Sequence, residues 1–182
     1  MADKQTTSRG PAELVLTVIA RDRPGLVKRL AGVVARHGGN WIESSMARLG
    51  GEFAGILRVA VPPASAAALE EELAGLEADG IAVTLREDVP PPPPAGPHIR
   101  LELTGVDHPG IVLEVTRALE ALGVSIDELQ TGVFPASMTG EAMFQAKADL
   151  VVPESIEVDA LHDALERIAG DIMVDIELMA AE

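Results

Sequence analysis

The sequence contains no cysteine and very few aromatic residues. Among its 182 residues there are one Trp, three Phe and no Tyr. The absence of cysteine excludes disulfides, thiolate nucleophiles and zinc sites built on thiolates. Because aromatic side chains are so scarce, the core has to be built from the aliphatic residues, which account for most of the 47% hydrophobic fraction.

Basic residues are also in short supply, which argues against direct binding to nucleic acid. The chain has 14 Lys and Arg against 29 Asp and Glu, a net charge of −15. Proteins bind phosphate backbones with clusters of basic side chains, and no such patch is visible in the sequence. The acidity is typical of a well-solvated protein and is compatible with a basic protein partner.

Long hydrophobic runs are missing as well. No stretch approaches the ~20 apolar residues of a membrane span, and residues 1–10 lack the apolar stretch of a signal peptide. We therefore expect a cytoplasmic protein that does not bind membranes, with residues 1–11 as a disordered tail. The histidines form no helical ligand pair, so we expect no metal site and no cofactor; they are His37, His98, His108 and His162.

A four-residue motif occurs twice. Asp22-Arg23-Pro24-Gly25 recurs as Asp107-His108-Pro109-Gly110, 85 residues later. Each copy follows an alternating apolar run and precedes apolar residues at helical spacing. Around both copies the pattern predicts the order strand, helix, strand, strand, helix, strand. The fold class is therefore predicted as α+β, with two ferredoxin-like βαββαβ units, each an antiparallel four-stranded sheet with two helices on one face.

The two copies are not the same length. Their second helices are offset by 92 residues, so the second copy has seven additional residues, which we place in the hairpin at residues 134–140. Five consecutive prolines begin at Pro90 and favour an extended spacer over a docking site for a proline-reading domain. The predicted boundaries are 12–88 for the first unit, 89–97 for the proline-rich linker and 98–180 for the second unit.

The first strands of the two copies differ on the side that faces away from the predicted core. The first copy has Val15, Thr17 and Ile19 there, and the second has the more polar set Arg100, Glu102 and Thr104. Because a unit of ~80 residues has a marginal core, we expect units to pair, either within one chain or between two chains. We also expect the chain to form a homodimer or higher oligomer. The outer face of the first sheet is the candidate contact surface.

The repeated motif has a structural and a functional explanation. Asp can cap the following helix, Pro suits its first turn and Gly permits a close approach of backbone or ligand. The same helix amides can bind a carboxylate, while the Asp accepts hydrogen bonds from an ammonium group. An amino-acid zwitterion is therefore the natural ligand. Asn40 and Ser125 each follow the motif Asp by 18 residues and are predicted to lie near the turns.

Two such units, each with Asp-x-Pro-Gly at the first strand–helix junction, resemble tandem ACT domains, regulatory modules that commonly bind amino acids between paired domains. The first copy, with Asp22-Arg23-Pro24-Gly25, Asn40-Trp41-Ile42-Glu43-Ser44 and Leu49-Gly50-Gly51-Glu52-Phe53, resembles the glycine cleavage system transcriptional repressor family. The proline-rich linker is similar to that family's layout. The short motif alone is shared with ACT domains of formyltetrahydrofolate deformylase, phosphoserine phosphatase and the PII uridylyltransferase.

The resemblance also implies ligand-binding residues. In the serine-binding regulatory domain of phosphoglycerate dehydrogenase, contacts come from the turn residue before Arg-Pro-Gly and from an Asn in the second strand. By this resemblance and the turn chemistry, the candidate ligand-binding residues are Asp22, Pro24, Gly25, Leu26 and Asn40 in the first copy and Asp107, Pro109, Gly110, Ile111 and Ser125 in the second. The replacement of Arg23 by His108 and of Asn40 by Ser125 favours the first copy as the better site.

The resemblance implies a non-catalytic regulatory protein that senses an amino acid, with glycine and serine as candidates. Members of the resembled family restrain the glycine cleavage operon by engaging a transcriptional activator, without a DNA-binding domain of their own. Two alternatives stay open. In the first, the chain is a detached regulatory ACT subunit of a metabolic enzyme, such as a deformylase or phosphatase. In the second, it is a dimerisation module without a ligand.

Overall fold

The computed structural model describes residues 10–87, 95–137 and 140–180. The chain divides into two compact units, Met1–Pro91 and Pro92–Glu182, here called unit 1 and unit 2. Most of the expected N-terminal tail and the whole proline run lie outside the described residues.

Unit 1 has the predicted order of strands and helices. Its strands and α-helices are β1 (Ala12–Arg21), α1 (Leu26–Arg36), β2 (Asn40–Leu49), β3 (Glu52–Val61), α2 (Ala66–Gly75) and β4 (Ile81–Arg86). Short 3-10 turns flank α2 at Pro63–Ser65 and Leu76–Asp79. The strand order across this sheet, sheet 1, is β2-β3-β1-β4, and all its neighbouring strands are antiparallel.

Unit 2 repeats this topology. Its elements are β5 (His98–Val106), α3 (Ile111–Ala121), β6 (Ser125–Pro135), β7 (Ala142–Val151), α4 (Val158–Ile172) and β8 (Val174–Ala180). The strand order of sheet 2 is β6-β7-β5-β8, again antiparallel throughout. The predicted fold class is therefore confirmed for both units.

The hydrophobic periodicity explains why each sheet carries its helices on one face. In β1 every second side chain, from Leu14 to Ala20, is buried, and the residues between them face away from the core. The core of unit 1 combines these side chains with the predicted α1 stripe, which is Leu26, Leu30, Val33 and Val34. In unit 2 the equivalent α3 stripe contributes Ile111, Val115 and Leu119. The aliphatic core expected from the composition is thus present twice.

The two hairpins account for most of the length difference between the units. In unit 1, Leu49 pairs with Glu52 across a two-residue turn of Gly50 and Gly51, both with positive φ. The equivalent pair in unit 2 is Phe134 and Met143, with eight residues between them. The hairpin therefore holds six of the seven additional residues, and the seventh lies in the connection before α4.

No helix in the described ranges is both long enough and apolar enough to cross a bilayer.

A matched pair of leucines tests the burial that defines unit 1. Leu16 is 0% exposed and Leu49 is 84% exposed. We expect Leu16→Ala to lower the free energy of unfolding of unit 1 by about 2–5 kcal/mol, because it leaves a cavity, and Leu49→Ala to change it by less than about 0.5 kcal/mol. The single tryptophan, Trp41, packs against the unit 1 core, so its fluorescence during urea unfolding reports this unit. Equal effects of the two substitutions would contradict the assigned core.

Candidate functional site

The turn between β1 and α1 is held at both ends. On the strand side, the backbone N–H of Asp22 donates to the carbonyl of Gly51 in the hairpin at 3.0 Å. On the helix side, Leu26 is buried and the N–H of Arg29 donates to the carbonyl of Gly25 at 2.9 Å. Gly25 has a φ of 94°, a left-handed conformation that side chains other than glycine rarely adopt. The turn is therefore a defined structure, with Pro24 exposed on its surface.

Neither motif aspartate caps its helix, so the capping prediction is wrong. Gly25 occupies the N-cap of α1 and Gly110 that of α3, and no side chain makes a capping hydrogen bond in either case. Asp22 and Asp107 lie three residues earlier, with exposed positions. The first amides of a helix have no intrahelical acceptor. In both units the motif thus combines helix amides that have no intrahelical acceptor with an exposed aspartate three residues earlier.

Arg48 is the residue at this turn that sequence reasoning missed. Its Nη1 donates to Oδ2 of Asp22 at 3.2 Å, and the side chains of the arginine and the aspartate are 72% and 35% exposed. An exposed ion pair of this kind contributes at most about 1 kcal/mol to stability, so a charged ligand can compete with it. The sequence signal that could have predicted this contact is the tight Gly50-Gly51 turn, because it places the end of β2 beside the motif.

Asp79, the last residue of the 3-10 turn after α2, is bonded to the same β1–α1 turn. Arg23 Nη2 donates to the Asp79 backbone carbonyl at 2.6 Å, and Arg29 forms an ion pair with the Asp79 carboxylate. Arg23 thereby holds a carbonyl at the negative end of a helical segment, where cations are favoured. The arginine of the motif has a positioning role in this structure, away from the Asp22 carboxylate.

The second turn has the same backbone and different side chains. The N–H of Asp107 donates to the carbonyl of Ala142 at 2.8 Å, and Glu114 N–H donates to Gly110 at 3.0 Å. Ile111 is buried and Pro109 exposed, as in unit 1. Val133 occupies the position equivalent to Arg48, so strand β6 offers no guanidinium to Asp107. The two turns therefore differ in charge at the point where a zwitterion would need both signs.

His108 replaces Arg23 in contact as well as in sequence. Its Nε2 lies 2.9 Å from the carbonyl of Ile172, at the end of α4, and its Nδ1 lies 3.2 Å from the carbonyl of Pro109. Both partners are acceptors, so only the doubly protonated ring donates to both. The hydrogen bonds to the carbonyls of Ile172 and Pro109 raise the pKa of His108 above its ordinary value, and the charge of Asp107 adds a smaller rise. Desolvation opposes these effects without cancelling them.

Asn40 and Ser125 do not lie beside the turns of their own units, so that prediction is wrong. Asn40 pairs with Ala60, which pairs with Glu13 at the start of β1. Glu13 and Asp22 are nine residues apart, about 30 Å along a strand. Ser125 pairs with Val151, opposite His98, and is equally remote from Asp107. The reason is that β1 and β2 run in the same direction. The first residues of both strands therefore lie at one end of the sheet, and the motif, which follows the last residue of β1, lies at the opposite end.

One further cluster of metal-binding side chain types occurs in the described part of the chain. His162, Asp163 and Glu166 lie on one turn of α4, and all three are exposed. Exposed acidic groups on a helix are common in solvated faces, and we assign no site to this cluster.

Comparison with known proteins places this geometry in a family context. Residues 12–83 match the ACT domain family, and unit 2 has the same topology. The chain is 26% identical over 161 residues to the glycine cleavage system transcriptional repressor of Escherichia coli (strain K12), covering 87% of this chain and 85% of that protein. Residues 12–83 are therefore an ACT domain, and the chain as a whole is similar to this repressor.

Two solved structures share the fold over nearly the whole chain. A crystal structure of an unknown protein from Galdieria sulphuraria is 28% identical, covers 94% of this chain and 99% of its own, and superposes with a TM-score of 0.80. A protein proposed to be a glycine cleavage system transcriptional repressor is 17% identical, with coverages of 93% and 97% and a TM-score of 0.70. The second similarity shows the fold alone.

The His108 contacts predict a pH dependence of stability in unit 2. Because the pKa of His108 is raised in the folded state, its stabilising effect is complete below about pH 6.5 and is lost as the pH rises through the higher folded value. We expect the melting temperature of wild type to fall, relative to His108→Arg, as the pH rises above about 6.5. Scanning calorimetry of both proteins measures the difference.

The His108→Arg variant is the matched control, because Arg23 makes the equivalent contact in unit 1 and keeps its charge over this range. A constant difference in melting temperature between wild type and the variant would contradict the assignment.

Proposed function

We propose that this chain is a non-catalytic regulatory protein that binds a small amino acid at the β1–α1 turn of unit 1 and acts through contact with another protein. The observation that carries the proposal is the combination at this turn of the Asp22 carboxylate, the Arg48 guanidinium 3.2 Å from it and the start of α1. Similarity to the Escherichia coli repressor over 87% of the chain supports the regulatory part.

The charges at the turn match both ends of an amino acid. The ammonium group of the ligand would replace Arg48 as the hydrogen-bond donor to Asp22. The released Arg48 guanidinium would then bind the carboxylate of the ligand in a bidentate manner. The amides at Gly25 and Leu26 offer a second anion position beside it. Glycine and serine are the first candidates, because their small side chains require no apolar pocket at this exposed turn.

Asn40 can share a ligand with Asp22 only if two copies of the chain cooperate. Within one copy the two residues lie at opposite ends of the strands of sheet 1, about 30 Å apart. If Asn40 binds the amino acid held by Asp22, the ligand lies between two copies and stabilises the assembly. This arrangement couples ligand binding to association.

The turn of unit 2 should bind an amino acid more weakly. It retains Asp107, Pro109, Gly110 and Ile111, but Val133 replaces the guanidinium, and Ser125 has no amide donor. We propose that unit 2 contributes mainly to structure or to partner contact. Its 98–180 segment has 16 acidic and four basic residues, whereas residues 10–87 have ten and eight.

The partner would be a protein, with a transcriptional activator as first candidate from the similarity to the repressor. A net charge of −12 on residues 98–180 repels nucleic acid and favours a basic protein surface. We place the protein in the cytoplasm, with units 12–88 and 98–180 joined by 89–97. Purification of the tagged chain from its host would distinguish the alternatives: an activator supports regulation of transcription, and a deformylase or phosphatase supports an enzyme subunit.

Isothermal titration calorimetry with glycine, serine and the other amino acids tests the ligand. We expect one small amino acid to bind and Asp22→Asn to weaken it about tenfold to a hundredfold, because a charged hydrogen bond contributes about 1.5–3 kcal/mol. Arg48→Gln should have a similar effect. Arg117→Gln is the control, since Arg117 is an exposed arginine on α3 of unit 2 that takes no part in this turn. The absence of heat with every amino acid would refute the sensing function.

A further inference from the structure

The outer face of sheet 1, which points away from α1 and α2, is apolar at its centre. Ile19 and Ile56 are 50% and 56% exposed there. Ile19 lies opposite Ala54 on one side and Ala82 on the other, while Ile56 lies opposite Thr17. In antiparallel sheets with one solvated face, that face normally carries polar residues. Two large exposed aliphatic side chains among small neighbours therefore indicate a contact surface.

The centre of the equivalent face of sheet 2 is polar in the same fold. Lys147 donates to Glu102 at 2.8 Å, and Arg100 donates to Asp149 at 2.9 Å. By strand register, Lys147 occupies the position of Ile56, and Glu102 that of Thr17. The difference expected between the two faces is thus confirmed. The backbone does not require an apolar outer face, so the one on sheet 1 needs another cause.

The charged residues around the apolar centre of sheet 1 balance each other. At one end Arg58 pairs with Glu43 at 3.0 Å and approaches Glu13 at 3.9 Å, and at the other end Arg21 approaches Glu52 at 4.0 Å. With Arg86, the face carries three acidic and three basic side chains. On the strands of sheet 2, five acidic side chains accompany two basic ones; they are Glu102, Glu128, Asp149, Asp175 and Glu177 against Arg100 and Lys147.

This balance identifies the occupant as a second copy of the chain. Two molecules with a net charge of −15 repel each other, so they approach most easily through a face without net charge. Each end of the face carries both acidic and basic side chains. A two-fold axis can therefore place acidic groups against basic ones whether it runs along the strands or across them. A basic partner protein, by contrast, would find its complement on the acidic unit 2.

We propose that the outer face of sheet 1 binds the same face of a second copy around a two-fold axis near Thr17. Such an isologous contact buries Ile19 and Ile56 of both copies against each other and against the alanines beside them. The contact is independent of any ligand, and it gives the protein a dimer whose β1–α1 turns remain at the edges of the interface.

Substitution of the apolar centre tests the proposal. In analytical ultracentrifugation we expect wild type to be a dimer and Ile56→Lys to raise the dissociation constant at least about a hundredfold, because it buries two unpaired charges. The variant installs the residue that sheet 2 already has at this position, so the fold should accept it, and Trp41 fluorescence verifies that. Leu113→Lys on α3 is the control, since Leu113 is similarly exposed at 52%.

Cross-linking provides a second readout that does not depend on a disruptive variant. Since the chain has no cysteine, Thr17→Cys gives a single thiol near the proposed axis, and Glu102→Cys gives the equivalent thiol in unit 2. A short bismaleimide should link the first variant into dimers and leave the second unlinked. A monomeric wild type, a dimer broken by Leu113→Lys instead of Ile56→Lys, or cross-linking only through Glu102→Cys would each overturn the proposal.

Discussion

The antiparallel register around β1 is the constraint on which the rest of the structure depends. β1 pairs with β3 along its whole length and with β4 from Val15 to Ala20, so it lies inside sheet 1 between two neighbours. The Asp22 turn is consequently held by the hairpin on one side and by the buried start of α1 on the other. The same register places Asn40 at the end of the sheet opposite Asp22, because the crossover through α1 makes β2 run parallel to β1.

The two units show how much chemistry can change on one backbone. Gly25 and Gly110 adopt the same left-handed conformation, and the amides of Asp22 and Asp107 make equivalent hydrogen bonds to their hairpins. The side chains around them diverge: the side chain that contacts a backbone carbonyl at or just beyond the second helix is an arginine in unit 1 and a histidine in unit 2. The outer faces diverge similarly, from a neutral apolar surface to one dominated by carboxylates. The backbone therefore defines the architecture, and side-chain charge distinguishes the turn of unit 1, where we propose the ligand site, from the turn of unit 2.

The sequence predicts the fold of both units better than it predicts the surroundings of the candidate site. Hydrophobic alternation in β1 and the stripe beginning at Leu26 report burial directly, and these features yielded both sheets and most of the core. The neighbours of the Asp22 carboxylate depend on strand register, which a repeat alone does not specify. Arg48 comes into contact because the hairpin turns on two glycines, whereas Asn40 is removed because parallel strands start at one edge. The charge balance on sheet 1 likewise emerges only when residues of all four strands are placed on one face.

The central claim, that an amino acid binds at the turn of unit 1, is tested most directly by nuclear magnetic resonance. Backbone amide signals of a uniformly labelled sample are followed while glycine or serine is added. The account predicts that the amides of Gly25 and Leu26 shift first and saturate, with Gly110 and Ile111 responding only at higher concentration. Shifts that begin at Gly110, or saturable shifts confined to other parts of the chain, would contradict it.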